Sequence, residues 1–274
     1  MHLNLRDELP SPDDLPAPAR DLFPTEFYRD KWNVLTATGS CPYRCPFCSA
    51  ASIWQGRRRI RSPQGIAAEL RELSATYGVD RVFFTDDLFT LNKPWVRELA
   101  GELLKLDRRI EWGCATRVDQ VDADLLRVMA EAGCTGIQFG VESGSQRILD
   151  SVKGIQKAQV ISAIKAAVAV GIDAVSSFMV PFPEDTRETL AETHAFIRDV
   201  RDAGSRIYLS YTCPYPGTIF HDRADELGLR ILSDRWDEYD AKHVVMETRN
   251  LSRDEITEIV EAIAADVGLH KSVG

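Results

Sequence analysis

The sequence predicts an α/β fold, a partial, TIM-like (β/α)6 barrel of parallel strands with a C-terminal helical extension. Three observations carry this. Six short apolar runs rich in Val, Ile and Phe alternate with stretches of helical period. Glycines recur where those helical stretches should stop. The chain has 274 residues, 44% of them apolar, enough for one barrel-sized core.

The segment from Leu9 to Pro24 carries Pro10, Pro12, Pro16, Pro18 and Pro24 and is expected to run extended over a surface. Residues 1–30 are therefore read as a strap, residues 31–232 as the barrel and residues 233–274 as the extension. Strands are expected at Asn33 to Thr38, Arg81 to Thr85, Ile110 to Thr116, Cys134 to Val141, Ile172 to Val180 and Arg206 to Thr212, lengths that suit buried parallel strands. Ser62 and Pro63 start a helix with the face Ile66, Leu70, Leu73 and Tyr77, and Pro94 starts one carrying Val96, Leu99 and Leu103. Asp122 is expected to cap a helix bearing Leu125, Leu126 and Met129, and Asp185 with Glu188 to cap one bearing Leu190, Ile197 and Val200. Gly78, Gly133, Gly171 and Gly204 stand where helices should end. Ser252 with Glu255 makes a capping box before Ile256, Ile259, Val260, Ile263 and Val267, an amphipathic helix expected across the barrel's side or base. In such barrels function sits at the carboxyl ends of the strands.

Against 33 basic residues stand 42 acidic ones, a formal charge of -9 that repels polyanions and argues against nucleic acid or an anionic membrane as partner. A small-molecule substrate fits better. No stretch approaches a membrane-spanning apolar run, and Met1 to Pro10 carries charges where a signal peptide needs its apolar region, so a soluble, cytoplasmic protein is expected. Of six cysteines, Cys41, Cys45 and Cys48 crowd together while Cys114, Cys134 and Cys213 stand alone, a pattern of metal chemistry in a reducing compartment rather than of disulfides.

The segment Gly39-Ser-Cys-Pro-Tyr-Arg-Cys-Pro-Phe-Cys48 follows the first predicted strand, which puts three thiols in one loop at the barrel's carboxyl face. Thiolates select soft metals and iron–sulfur clusters, and a cubane held by three cysteines leaves one iron open to a substrate or cofactor. Zinc is the alternative on spacing alone. It would need a fourth ligand, whereas Cys114, Cys134 and Cys213 fall in or at the ends of strands and no histidine lies near the motif.

These residues resemble the CxxxCxxC motif of the radical S-adenosylmethionine superfamily, with the aromatic Phe47 before the last cysteine. The likeness continues through Thr85-Asp-Asp87, Ala115-Thr-Arg-Val-Asp119 and Gly140-Val-Glu-Ser143, each at a predicted strand end. It implies a 4Fe–4S cluster on Cys41, Cys45 and Cys48, S-adenosylmethionine chelated to the open iron, and reductive cleavage to a 5'-deoxyadenosyl radical, with electrons from a flavodoxin- or ferredoxin-type donor. The stretch Leu15-Pro-Ala-Pro-Ala-Arg-Asp-Leu-Phe-Pro24 resembles the linker into the barrel of the subgroup that carries a cobalamin-binding domain. No room for that domain precedes the linker here and its histidine-containing motif is missing, so cobalamin dependence is left open, with a separate cobalamin-binding partner as its route of entry.

By the same resemblance Asp86 and Asp87 receive the methionine ammonium, with Asp86 favoured, and Thr85 offers its carbonyl. Arg117 suits a carboxylate and Glu142 a ribose or ammonium, unless the two pair with one another. Ser143 and Ser177 are ribose candidates, and Met179 stands where the family lays an apolar side chain against adenine, although Pro181 and Glu184 replace usual glycines and stiffen that loop. Cys213 is a candidate hydrogen donor to a substrate radical, like the cysteines of some radical epimerases, while Cys114 and Cys134 read as small core residues. Arg57 to Arg59 with Arg61 form either an anion-binding or a solvated loop face.

Two functions follow. The first is a radical enzyme that tailors a small molecule by methylation, rearrangement or epimerisation. The second is a non-catalytic iron–sulfur or zinc-binding barrel serving as electron carrier or partner scaffold.

Overall fold

The computed structural model describes residues 10–27, 32–39, 41–54 and 58–268, so the expectations for residues 1–9, 28–31, Ser40, Arg57 and the tail beyond Gly268 lie outside the described residues. The strap is not simply extended: it makes single 3-10 turns at Pro12–Asp14, Arg20–Leu22 and Thr25–Phe27, and at the first of them the φ of Pro12 suits the start of the turn as well as extended chain. Asp13 fastens it by accepting the Ser62 N–H at 2.9 Å, and Arg20 pairs with Glu69, which also takes Arg61.

Strands β1 (Asn33–Val34) and β2 (Ala37–Gly39) lead to helix α1 (Ala50–Trp54) and strand β3 (Arg58–Ile60). Helix α2 (Pro63–Tyr77), strand β4 (Arg81–Phe84), helix α3 (Lys93–Leu103), strand β5 (Glu111–Thr116), helix α4 (Ala123–Glu131) and strand β6 (Cys134–Glu142) follow. Helices α5 (Gln146–Val152) and α6 (Lys157–Ala169), strand β7 (Asp173–Val180), helix α7 (Arg187–Asp202) and strand β8 (Arg206–Tyr211) complete the repeat. The main sheet runs β1-β4-β5-β6-β7-β8 with every neighbour parallel, the six units the sequence predicts.

The first unit departs from expectation. Only Asn33 and Val34 pair with β4; the chain then turns, and β2 pairs antiparallel with β3. The buried Asp86 carboxylate imposes the break by accepting from the Thr36 N–H at 3.1 Å, the Thr36 hydroxyl at 2.8 Å and the Ala37 N–H at 2.7 Å. A lone carboxylate thus satisfies main-chain donors that a continuing strand would have paired.

The helix starts follow the sequence at Ser62, whose hydroxyl accepts from Gly65 N, at Asp122, which accepts from Leu125 N at 2.8 Å, and at Ser252 with its Glu255 capping box. Helix α3 is capped by Asn92 one residue before Lys93. Helix α7 corrects the expectation: Thr186 and Thr189 cap it reciprocally, and Asp185 instead turns inward to accept from Phe182 N and the Thr189 hydroxyl, both at 2.7 Å. The four expected glycines all have positive φ, most strictly at Gly133, where a Cβ would stand 2.4 Å from the Ile110 carbonyl oxygen.

One face of the sheet, including Val82, Phe84, Trp112, Cys114, Ile137 and Phe139, is buried with Ile66, Leu70, Leu99, Leu125 and Ile164 from the helices. Cys114 and Cys134 are core residues, as expected. The opposite, concave face stays open as a trough of about 770 Å³, floored by Gly113 and Gly136 and bounded at the amino ends of the strands by the pairs Arg81–Glu111 and Arg206–Asp173.

After β8, short helices α8 (Ile219–Asp222) and α9 (Ala224–Leu227) precede strands β9 (Leu229–Ile231) and β10 (Met246–Thr248), an antiparallel pair the sequence did not announce. Helix α10 (Arg253–Val267) lies on the barrel's side against α7, through Arg198–Asp266 at 2.7 Å and Arg187–Glu255 at 2.8 Å, with Ile256 packed near Val180 and Leu190. Among the described residues no helix is long and apolar enough to cross a membrane.

Candidate functional site

The thiol loop is seated by its aromatic residue. Phe47 lies 5.7 Å from Phe182 and 6.3 Å from Phe220, edge-on or tilted, so the segments after β7 and β8 grip the same ring. The Phe220 N–H donates to the Pro46 carbonyl at 3.2 Å, the Cys48 N–H closes a turn onto the Cys45 carbonyl, and the Ser52 hydroxyl donates to the Gly217 carbonyl. Met179, expected against adenine, packs into the same apolar cluster as Phe47.

Cys41 and Cys45 are half-buried and Cys48 is the exposed member of the set, yet burial lifts all three thiols above the ordinary cysteine value. Cys41 and Cys45 each also feel the charge of Cys48, so the thiols share one neighbourhood. Lys153 and Arg117 oppose the lift at Cys45, Arg117 at Cys41 and Lys153 at Cys48. Among the described residues no three His, Cys, Asp or Glu side chains already close on one point as a single-ion site would. Three soft donors on one loop, with two cations to balance thiolate charge, fit a cubane with one open iron.

Beside Cys41 opens a cavity of about 80 Å³ lined by Leu35, Ala37, Arg58, Thr85, Asp86, Asp87 and Leu88. The sequence favoured Asp86 as an ammonium ligand, but its carboxylate is taken up by Thr36 and Ala37. Burial, only partly offset by those donors, raises it. Asp87 is the exposed neighbour, raised by partial burial and accepting the Cys41 N–H, so it links the strand end directly to the thiol loop. Thr85 is exposed and its own N–H donates to the Val34 carbonyl at 3.0 Å.

Arg117 and Glu142 do not pair with each other. Arg117 forms a two-point bridge to Asp119, both contacts at 2.9 Å, donates to the Lys153 carbonyl at 2.9 Å, and lies 3.8 Å over the Tyr43 ring. Glu142 takes the Lys153 ammonium at 2.7 Å, with both side chains almost wholly buried. Its backbone has φ 77°, left-handed territory that a non-glycine residue enters at a cost of about 1–3 kcal/mol. Gly140 makes room for the pair: a Cβ there would fall 2.5 Å from Glu142 Oε1 and 2.6 Å from Lys153 Nζ. Sequence reasoning missed Lys153. The signal available was the rule that a buried carboxylate needs a cation, with Lys153 at the carboxyl end of α5.

Two other expectations are corrected. Ser143 is 1% exposed and its hydroxyl shares a hydrogen bond with Thr193 and accepts the Ser145 N–H, so it ties β6 to α7 instead of facing a ribose. Cys213 is 1% exposed and packed with Tyr239 and Val245 beneath the extension, so its thiol is a covered core group rather than one facing an open site. Ser177 remains half-buried on the concave face, with its hydroxyl donating to the Phe139 carbonyl at 3.4 Å. Of the described members of the arginine run, Arg58 lines the cavity beside Cys41, while Arg59 donates to the Pro10 carbonyl and Arg61 pairs with Glu69.

An open parallel barrel carrying three thiols in the loop beyond its first strand defines a class of cluster-binding barrels. A family model described as the Radical SAM superfamily matches residues 35–197, and the chain belongs to that superfamily, which uses a 4Fe–4S cluster and S-adenosylmethionine. An uncharacterised methyltransferase of Pyrococcus horikoshii is 32% identical over 267 residues, covering 93% of this chain and 57% of that protein. The anaerobic magnesium-protoporphyrin IX monomethyl ester cyclase of Rubrivivax gelatinosus is 30% identical over 80% of this chain and 39% of its own length. Among solved structures, the radical S-adenosylmethionine methyltransferase TsrM of Kitasatospora setae, with cobalamin and a 4Fe–4S cluster bound, superposes with a TM-score of 0.71 at 19% identity over 90% of this chain and 53% of its own. The chain thus spans roughly two fifths to three fifths of the length of these relatives.

Proposed function

We propose that this barrel generates a radical from S-adenosylmethionine and uses it to tailor a small molecule, with methyl transfer the reaction its relatives favour. The observation that carries the reading is the thiol loop, seated by Phe47 and joined through Cys41 to Asp87. When bound, a cluster on Cys41, Cys45 and Cys48 supplies the electron that breaks the sulfur-to-C5' bond. Asp87, rather than the occupied Asp86, offers a carboxylate to the methionine ammonium, and the Thr85 carbonyl lies beside it. Glu142 and Lys153 set a buried charge pair at the next strand end but one, with Ser177 and Met179 on the strand after it.

The substrate would lie at the carboxyl ends of the strands, facing the thiol loop, since the trough opens toward their amino ends. Cys48, the exposed thiol, marks the side from which a flavodoxin- or ferredoxin-type donor would deliver electrons. Methyl transfer with cobalamin would bring in the cofactor that the Kitasatospora setae relative carries bound.

Anaerobic reconstitution tests the proposal. The protein should take up iron and sulfide, turn brown and oxygen-sensitive, and release 5'-deoxyadenosine from S-adenosylmethionine with a strong reductant. Stoichiometric zinc with no cleavage would instead favour the scaffold function. Methyl-labelled S-adenosylmethionine, with and without methylcobalamin, decides methyl transfer.

A further inference from the structure

Arg117 is 6% exposed, and the bridge to Asp119 fixes Nε and Nη2 on one side of its guanidinium. Nη1, at the other end, is buried and has no partner among the described residues. A buried donor left unsatisfied costs about 1–3 kcal/mol, so a site that keeps one has a use for it. The plane is also pinned from a second direction, because it lies on the ring of Tyr43, between Cys41 and Cys45 in the loop, while Gln120 holds the Tyr43 hydroxyl at 2.8 Å. Lys153 reaches the same loop from α5, and its carbonyl holds Arg117 Nη2.

We propose that Arg117 Nη1 is a hydrogen-bond donor to the Cys45 side of the bound cluster, and that Arg117 thereby raises the cluster's reduction potential. The physical basis is that reduction adds one negative charge to the cluster. A fixed cation and an N–H donor stabilise the reduced form more than the oxidised form, and hydrogen bonds to the sulfurs and burial are the levers by which proteins set such potentials. Arg117 suits the task because its guanidinium stays charged and its fork is already held by Asp119. This rests on the proposed cluster. It differs from the carboxylate-binding role expected of Arg117, which would act only once S-adenosylmethionine is present.

The test is an EPR-monitored redox titration of the reconstituted protein without S-adenosylmethionine, for the wild type, Arg117→Gln and Arg117→Lys. The expected result for R117Q is a reduced-to-oxidised ratio about tenfold lower at a given poise, equivalent to a shift of about 59 mV for one electron, with R117K falling between. R117K also keeps the test open should R117Q fold poorly. Clusters that assemble in either variant at the wild-type potential, whether or not iron content or S-adenosylmethionine affinity drops, would overturn the proposal and leave Arg117 a structural or ligand-binding residue. A wild-type protein that takes up no iron and sulfide would overturn the underlying function instead.

Discussion

The carboxyl end of β4 and the carboxyl end of β6 each bury a carboxylate, Asp86 at 5% and Glu142 at 7% exposure, but they hold it by opposite means. Asp86 is met by neutral donors, two main-chain N–H groups and a hydroxyl, on an ordinary backbone. Glu142 is met by an ammonium, on a backbone in the left-handed region. Neutral donors offset burial only in part, so Asp86 is raised, as is Asp185, held the same way by Phe182 N and the Thr189 hydroxyl and pushed up to about 6. The difference separates latches of the fold from charges of the site: carboxylates held by neutral donors fasten turns, while the cation-held one stands beside the thiols on a strained residue.

Breaking the cation-held pair should have the largest effect. Lys153→Ala leaves Glu142 buried without its cation and is expected to cost about 4 kcal/mol in urea unfolding, most of it recovered in the double variant with Glu142→Gln. A loss no larger than a surface substitution would erase the contrast. Asp86→Ala strands the Thr36 and Ala37 N–H groups and should cost about 3 kcal/mol, with faster amide exchange at those two positions.

Asp185 sharpens the comparison through pH. Its folded value is raised from 3.8 to about 6, so its stabilising contribution is full below about pH 4 and is lost as pH rises to about 6. Relative to the wild type, Asp185→Asn should therefore gain roughly 2–3 kcal/mol across that window, read from unfolding curves at several pH values. A constant difference would show that burial does not govern Asp185. The smallest effect on stability is expected at Gly136→Val, within about 0.5 kcal/mol, because the nearest atom to a Cβ there is 4.0 Å away.

Much of this was legible in sequence because it is local. Strand runs, the caps at Ser62, Asp122 and Ser252, and the helix-ending glycines depend on neighbours within a few residues, and the three cysteines share one loop. What escaped depends on distant partners. Nothing near Leu35 announces that Asp86 will end the strand, or that Lys153 will find Glu142, or that Phe182 and Phe220 will seat Phe47. The β9–β10 pair, three residues a side, is too short to show a period. Ser143 and Cys213 were misassigned for one reason: position at a strand end does not reveal whether another helix or the extension covers the side chain.

The central claim is that three thiols hold a cubane whose fourth iron is open to S-adenosylmethionine. Mössbauer spectroscopy of protein reconstituted with isotopically labelled iron tests it most directly. The account predicts that adding S-adenosylmethionine changes the signal of one iron in four and leaves the others in place. A spectrum unaltered by S-adenosylmethionine, or a protein that holds zinc and no cluster, would contradict it.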